Sequence, residues 1–151
     1  MSLVDLASSA SAWRGYEYYI KGKVSECRPV EDGIFEGTVS GSGSAQYSVT
    51  IDIAHPRKSK CNCPHADGKR LVCKHMVALY FSAFPEEAKQ YYDDIIRAEE
   101  EYEQEQEALA DDVEAFVRSM KKSDLQEVLL QLLYDGPDWQ FDRFVRDYLD
   151  N

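Results

Sequence analysis

No apolar run in the 151-residue sequence approaches the ~18 residues of a membrane span, and its start lacks a charged segment followed by an apolar one. These absences predict a protein that stays in the cytoplasm and has no membrane partner. Also missing are a Gly-rich phosphate loop, a nucleophile elbow and an open metal triad. Three histidines leave little general-base capacity. The expectation is therefore no catalysis and no small-molecule substrate. Cysteine is scarce too, at four residues, but Cys61, Cys63 and Cys73 crowd together while Cys27 stands apart. Without an export signal, such a cluster points to metal before disulfide.

Enough apolar residues are present, at 44%, to exclude a wholly disordered chain. The formal charge of −11 is unevenly spread. Residues 1–80 hold ten Lys and Arg against eight acids, net +2, and residues 81–151 hold seven against twenty, net −13. The stretch 55–74 has Arg57, Lys58, Lys60, Lys69, Arg70 and Lys74 against Asp67 alone, net +5. The stretch 86–114 has thirteen acids against Lys89 and Arg97, net −11. A small basic site is tethered to a long acidic segment.

Periodicity predicts an α+β fold. Leu6, Ala10, Trp13, Tyr16 and Ile20 mark one face of a helix ending at Gly22. A β-meander follows: a strand over 24–30, a tight turn at Asp32-Gly33, then two alternating strands ending near Ile53. Cys27 is expected in the sheet core and His55 at a strand end. From Cys73 to Phe84 the residues turn apolar, a short buried helix stopped by Pro85. Residues 85–108 read as an acidic helical arm or linker, solvated or frayed because Glu99, Glu103 and Glu107 repel at i,i+4. Residues 109–151 read as three short helices, the second begun by a Ser123–Gln126 capping box, forming a small antiparallel bundle. Trp13, Tyr16, Tyr19 and Tyr47 fall on core stripes and are expected inside.

The chemistry lies in Cys61-Asn62-Cys63, nine residues, and Cys73-Lys74-His75. Three thiolates and an imidazole are the donor set of a closed tetrahedral zinc site. Cys73 and His75 are two apart, so they fit where the chain turns into a helix, one before the first turn and one on it. His65, inside the intervening loop, is an alternative fourth ligand. A fully ligated ion has no position for substrate, so one structural Zn²⁺ is expected.

The pattern C-x-C, variable loop, C-x-H resembles the SWIM-type zinc finger, as found in small bacterial proteins. The flanks are similar as well: Arg14-Gly15-Tyr16, Tyr18-Tyr19, Gly22-Lys23-Val24, Tyr47-Ser48-Val49, Cys63-Pro64 and Cys73-Lys74-His75-Met76-Val77-Ala78. The likeness spans roughly residues 11 to 84, within a first domain taken as 1–84. It implies zinc on Cys61, Cys63, Cys73 and His75. The family is proposed to bind DNA or other proteins.

Protein partners are favoured, because the net charge of −11 opposes phosphate and the tail offers apolar stripes, which also suit a homo-oligomer. The rival is DNA or RNA binding through Lys58, Lys60, Lys69, Arg70 and Lys74, restrained by the acidic tail. Alternatively, these cations only offset thiolate charge.

Overall fold

A computed structural model describes residues 2–150. After a 3-10 turn at Val4–Leu6, helix α1 (Ser9–Ile20) begins where Ser8 caps it, its hydroxyl accepting from the Ser11 amide at 3.2 Å. The helix stops at Gly22, whose φ of 62° is open to glycine without a Cβ penalty. Strands β1 (Val24–Glu31), β2 (Ile34–Ser40), β3 (Gln46–Asp52) and the short β4 (Lys60–Cys61) form one antiparallel sheet in sequence order. The α+β class is as expected. The two-residue Asp32-Gly33 turn joins β1 to β2, and β2 pairs with β3 without a break from Ile34↔Asp52 to Ser40↔Gln46.

Helix α2 (Lys74–Ala83) packs on one face of this sheet. Val39, Val49 and Ile51 from the strands meet Met76, Val77, Leu79 and Phe81 from the helix, all essentially inaccessible. Two glycines permit the close approach. A Cβ at Gly15 would collide with Val77 and the Lys74 carbonyl, and one at Gly37 with Leu79 and the Glu26 carbonyl. Glycine in the middle of α1 is thus the condition for α1 and α2 to cross closely.

Three expectations about the core need correction. Cys27 is exposed rather than in the sheet core, because β1 is the outer strand and its residues are exposed from Ser25 onward. That edge position also tolerates Pro29. Trp13 and Ile20 remain 41% and 58% exposed, since only the flank of α1 that carries Tyr16 and Tyr19 meets α2. Tyr16, Tyr19 and Tyr47 do pack against the core.

Helix α3 runs unbroken from Pro85 to Ser119. Its first turns belong to the core built on the sheet and α2. Ala88 is buried, Tyr91 contacts Phe81 with ring centroids 5.3 Å apart, and Tyr92 stacks on Tyr16 at 5.5 Å. Those contacts carry the first compact unit to Ile96, past the expected edge at residue 84; the second comprises Arg97 onward. Residues 97–108 are solvated helix, and the stripe over 109–120 completes α3 instead of forming a helix of its own. No Gly or Pro interrupts this span, and Ala, Glu, Gln and Leu favour helix strongly enough to outweigh repulsions of roughly 0.2–0.5 kcal/mol per pair.

Helices α4 (Lys122–Asp135) and α5 (Asp138–Tyr148) complete the second unit. The capping box does not form: α4 starts at Lys122, so Ser123 lies inside the first turn and donates to Asp124 Oδ1 at 2.9 Å. Nor is the expected bundle built among the described residues. α4 meets α5 around Tyr134 and Phe141, and Leu133 is the one buried apolar residue of this unit. Among the described residues no helix is long and apolar enough to cross a membrane.

Candidate metal centre

Strand β4 sets Cys61 opposite Val49. Cys61 ends the strand, and Cys63 follows it just past the strand's end. Asn62 then locks the register, its side-chain oxygen accepting from the Ser48 amide at 2.9 Å and its own amide donating to the Ser48 carbonyl at 3.3 Å. Beyond Cys63 the chain coils tightly. The Cys63 carbonyl accepts from the amides of Ala66 and Asp67 at 3.0 and 2.9 Å, and Gly68 takes a left-handed φ of 68°. Val72 bridges to Ala7, returning the chain to the site. Cys73 occupies the N-cap of α2 in extended conformation, and His75 sits in the first turn.

The three thiols and the imidazole are brought together: their ligand atoms all lie within 4.8 Å of one another, and all four residues are buried. His75 Nδ1 lies 3.8 Å from Cys61 Sγ and 3.9 Å from Cys73 Sγ. Zn–S bonds near 2.3 Å and Zn–N near 2.0–2.1 Å, at tetrahedral angles, give donor–donor edges of about 3.6–3.8 Å. The cysteines are free, not bridged. A hydrogen bond from Cys61 holds the Cys73 thiol down at about 4, against the cost of burial and with help from His75 and the backbone of Met76 and His75 at the helix start. The same bond, together with burial, pushes Cys61 up. A buried group of thiols sharing a proton is a set that a divalent cation would complete. The residues fit one structural zinc.

Around the imidazole, the Tyr47 ring lies 4.7 Å away and the Tyr18 ring meets it edge-on at 5.5 Å. His75 Nε2 is buried without a hydrogen-bond partner among the described residues, which leaves Nδ1 as the nitrogen turned to the sulfurs. His65, the alternative ligand, is exposed and outside the cluster. His55 stands just beyond β3, its Nδ1 3.5 Å from Asp52, as expected of a strand end.

The basic residues divide. Lys58, Lys60, Lys69 and Arg70 line a single cleft of about 1190 Å³ between β3, β4, the 3-10 turn at Pro56–Lys58 and the ligand loop. Arg57 lines it too. The charge count contained Arg57, but only its place on that turn shows that it shares the cleft. Lys74 does not line it. Its ammonium donates to the Tyr18 hydroxyl at 2.7 Å and lies 4.3 Å from the centre of that ring. That bond holds the Tyr18 pKa below its usual value, against the effect of burial.

Residues 47–84 match the family model of the SWIM zinc finger. The chain carries a SWIM zinc finger. The match begins at Tyr47 in β3 and ends with Phe84 after α2, so α1, β1 and β2 complete the finger's core from outside the matched span. No curated protein and no solved structure matches the chain. A SWIM finger is a binding module rather than a catalytic one, and its zinc serves the fold.

Proposed function

We propose that this SWIM finger, ordered by one zinc on Cys61, Cys63, Cys73 and His75 Nδ1, holds the phosphate backbone of a nucleic acid in the cleft beside the metal. The observation that supports this is the convergence of Arg57, Lys58, Lys60, Lys69 and Arg70 on one cleft, against the single acid Asp67. Zinc with three thiolates contributes −1, so the local charge is about +3. Ser48, Thr50 and Asn62 add hydrogen-bonding groups to the wall. Among the described residues no aromatic ring lines the cleft, so it lacks a base-stacking platform. Contact is with backbone, and binding is independent of sequence. A ligand set of reduced thiols also suits the cytoplasm.

Fluorescence anisotropy of a mixed-sequence duplex, titrated with zinc-loaded protein across a salt series, tests this. Three to five neutralised phosphates give a slope of log K against log salt of about −2.7 to −4.5. Lys60→Glu with Arg70→Glu should abolish binding, and both side chains are exposed, so the fold is not at stake. A slope near zero, or no effect of the double substitution, sinks the reading.

A second reading, a protein partner, is favoured by the second unit. Leu109, Val113, Phe116, Leu129, Leu132 and Trp139 all stand more than two-fifths exposed, and apolar surface of that extent on one unit calls for a cover.

A further inference from the structure

The outer half of α3 has a regularity that the run of acids conceals. From Glu99 the residues Tyr102, Gln106, Leu109, Val113, Phe116 and Met120 follow at alternating steps of three and four. That is the spacing of a coiled-coil seam, and it lies on helix as far as Ser119. The seam is bare. Tyr102, Leu109, Val113 and Phe116 are 63%, 57%, 55% and 67% exposed, and among the described residues neither α4 nor α5 packs along it. The charged positions beside the seam are all acidic: Glu105 and Asp112 on one edge, ahead of Ser119, and Glu103 on the other, ahead of Ala110 and Val117.

We infer that residues 99–120 are a docking helix for an amphipathic helix of another protein, one whose seam is apolar and whose edges carry Lys or Arg. This rests on the protein-partner reading of the tail and not on the phosphate cleft. Charge selects the occupant. A second copy aligned in parallel would set Glu99 against its own equivalent within the seam. An antiparallel copy would set the edge of Glu105 and Asp112 against the same edge. Both arrangements bring together segments with nine acids against Arg118 alone, net −8. An anionic lipid surface is repelled for the same reason. A basic-edged helix relieves each conflict: its cations face Glu103, Glu105 and Asp112, and a cation opposite Glu99 would fix the register.

The test uses the full zinc-loaded chain and two synthetic peptides, each about four heptads long to be stable as helices on pairing. Both carry Ile and Leu at the seam; one has Lys at both edges and the other Glu. Sedimentation and anisotropy should give binding of the Lys-edged peptide at least about tenfold tighter than the Glu-edged one, weakening as salt rises. Phe116→Lys should abolish that binding with no change in the circular dichroism spectrum, because the side chain is largely in solvent. Glu105→Lys with Asp112→Lys should reverse the preference. Equal binding of the two peptides overturns the assignment of a basic partner. Concentration-dependent dimerisation with indifference to both peptides overturns it in favour of a second copy, and leaves the protein reading of the tail standing. A chain that stays monomeric and binds neither peptide removes that reading as well.

Discussion

The two units hold their shape by different means. In the first, up to Ile96, side chains from four strands, two helices and the first turns of α3 interdigitate, and a donor cluster stands ready to tie the loop between Cys63 and Cys73 to α2. In the second, Leu133 is the one fully buried apolar residue among the described residues, and the helices persist on local preference and i,i+4 pairs such as Arg118–Glu114 at 2.7 Å. Helix formation needs only neighbours along the chain, whereas a unit built on a four-stranded sheet and a short helix needs long-range closure. The finger is therefore held by its own core, whereas the tail leaves most of its apolar stripes in solvent.

Loss of zinc should separate the units most sharply. Structural zinc contributes an apparent ~10–16 kcal/mol in small fingers, so chelation or Cys73→Ser should unfold the segment 55–84. The helical circular dichroism of α3, α4 and α5 should largely survive. An unchanged melting profile after complete zinc removal would break the comparison from the finger's side.

Next come two phenylalanines. Phe81 is wholly buried beneath Tyr16 and Tyr91, so Phe81→Ala should cost about 3–5 kcal/mol in chemical denaturation. Phe116→Ala, on a residue 67% exposed, should change stability by less than about 0.5 kcal/mol. Similar costs for the two would mean that the tail is packed after all.

Gly15→Ala tests the close crossing of α1 on α2. Helix propensity alone favours alanine, but the added methyl meets Val77, so a net loss of about 1–3 kcal/mol is expected. A gain in melting temperature would show that the helices can part cheaply.

The smallest effect is expected at the exposed one of the two histidines near the metal. His65→Ala should leave zinc stoichiometry at one and the melting curve unmoved, while His75→Ala should weaken zinc retention in a competition with a chelator. The reverse pattern would reassign the fourth ligand.

Much of the finger was legible in its residues. The C-x-C and C-x-H pairs, the Asp32-Gly33 turn and the alternation of Val49 and Ile51 are local signals whose physics is local as well. What escaped depended on partners distant in the chain. Lys74 belongs by sequence to the basic cluster, yet Tyr18, 56 residues earlier, takes it out. Cys27 lies in the middle of a strand, as a core residue would, but only the strand order reveals an outer strand. The α3 helix was hidden for another reason. Repulsion between like charges is conspicuous in a sequence, while the absence of any breaker from Glu86 to Ser119 is easily overlooked.

The loop between Cys63 and Cys73 has a consequence of its own. It is a tight coil closed on the Cys63 carbonyl with Ala66 in the core, yet its exposed crest carries Lys69 and Arg70 into the cleft while contributing nothing to the donor cluster. The charge on that crest can thus be rewritten almost independently of the metal beneath it, like a stylus exchanged on a fixed arm.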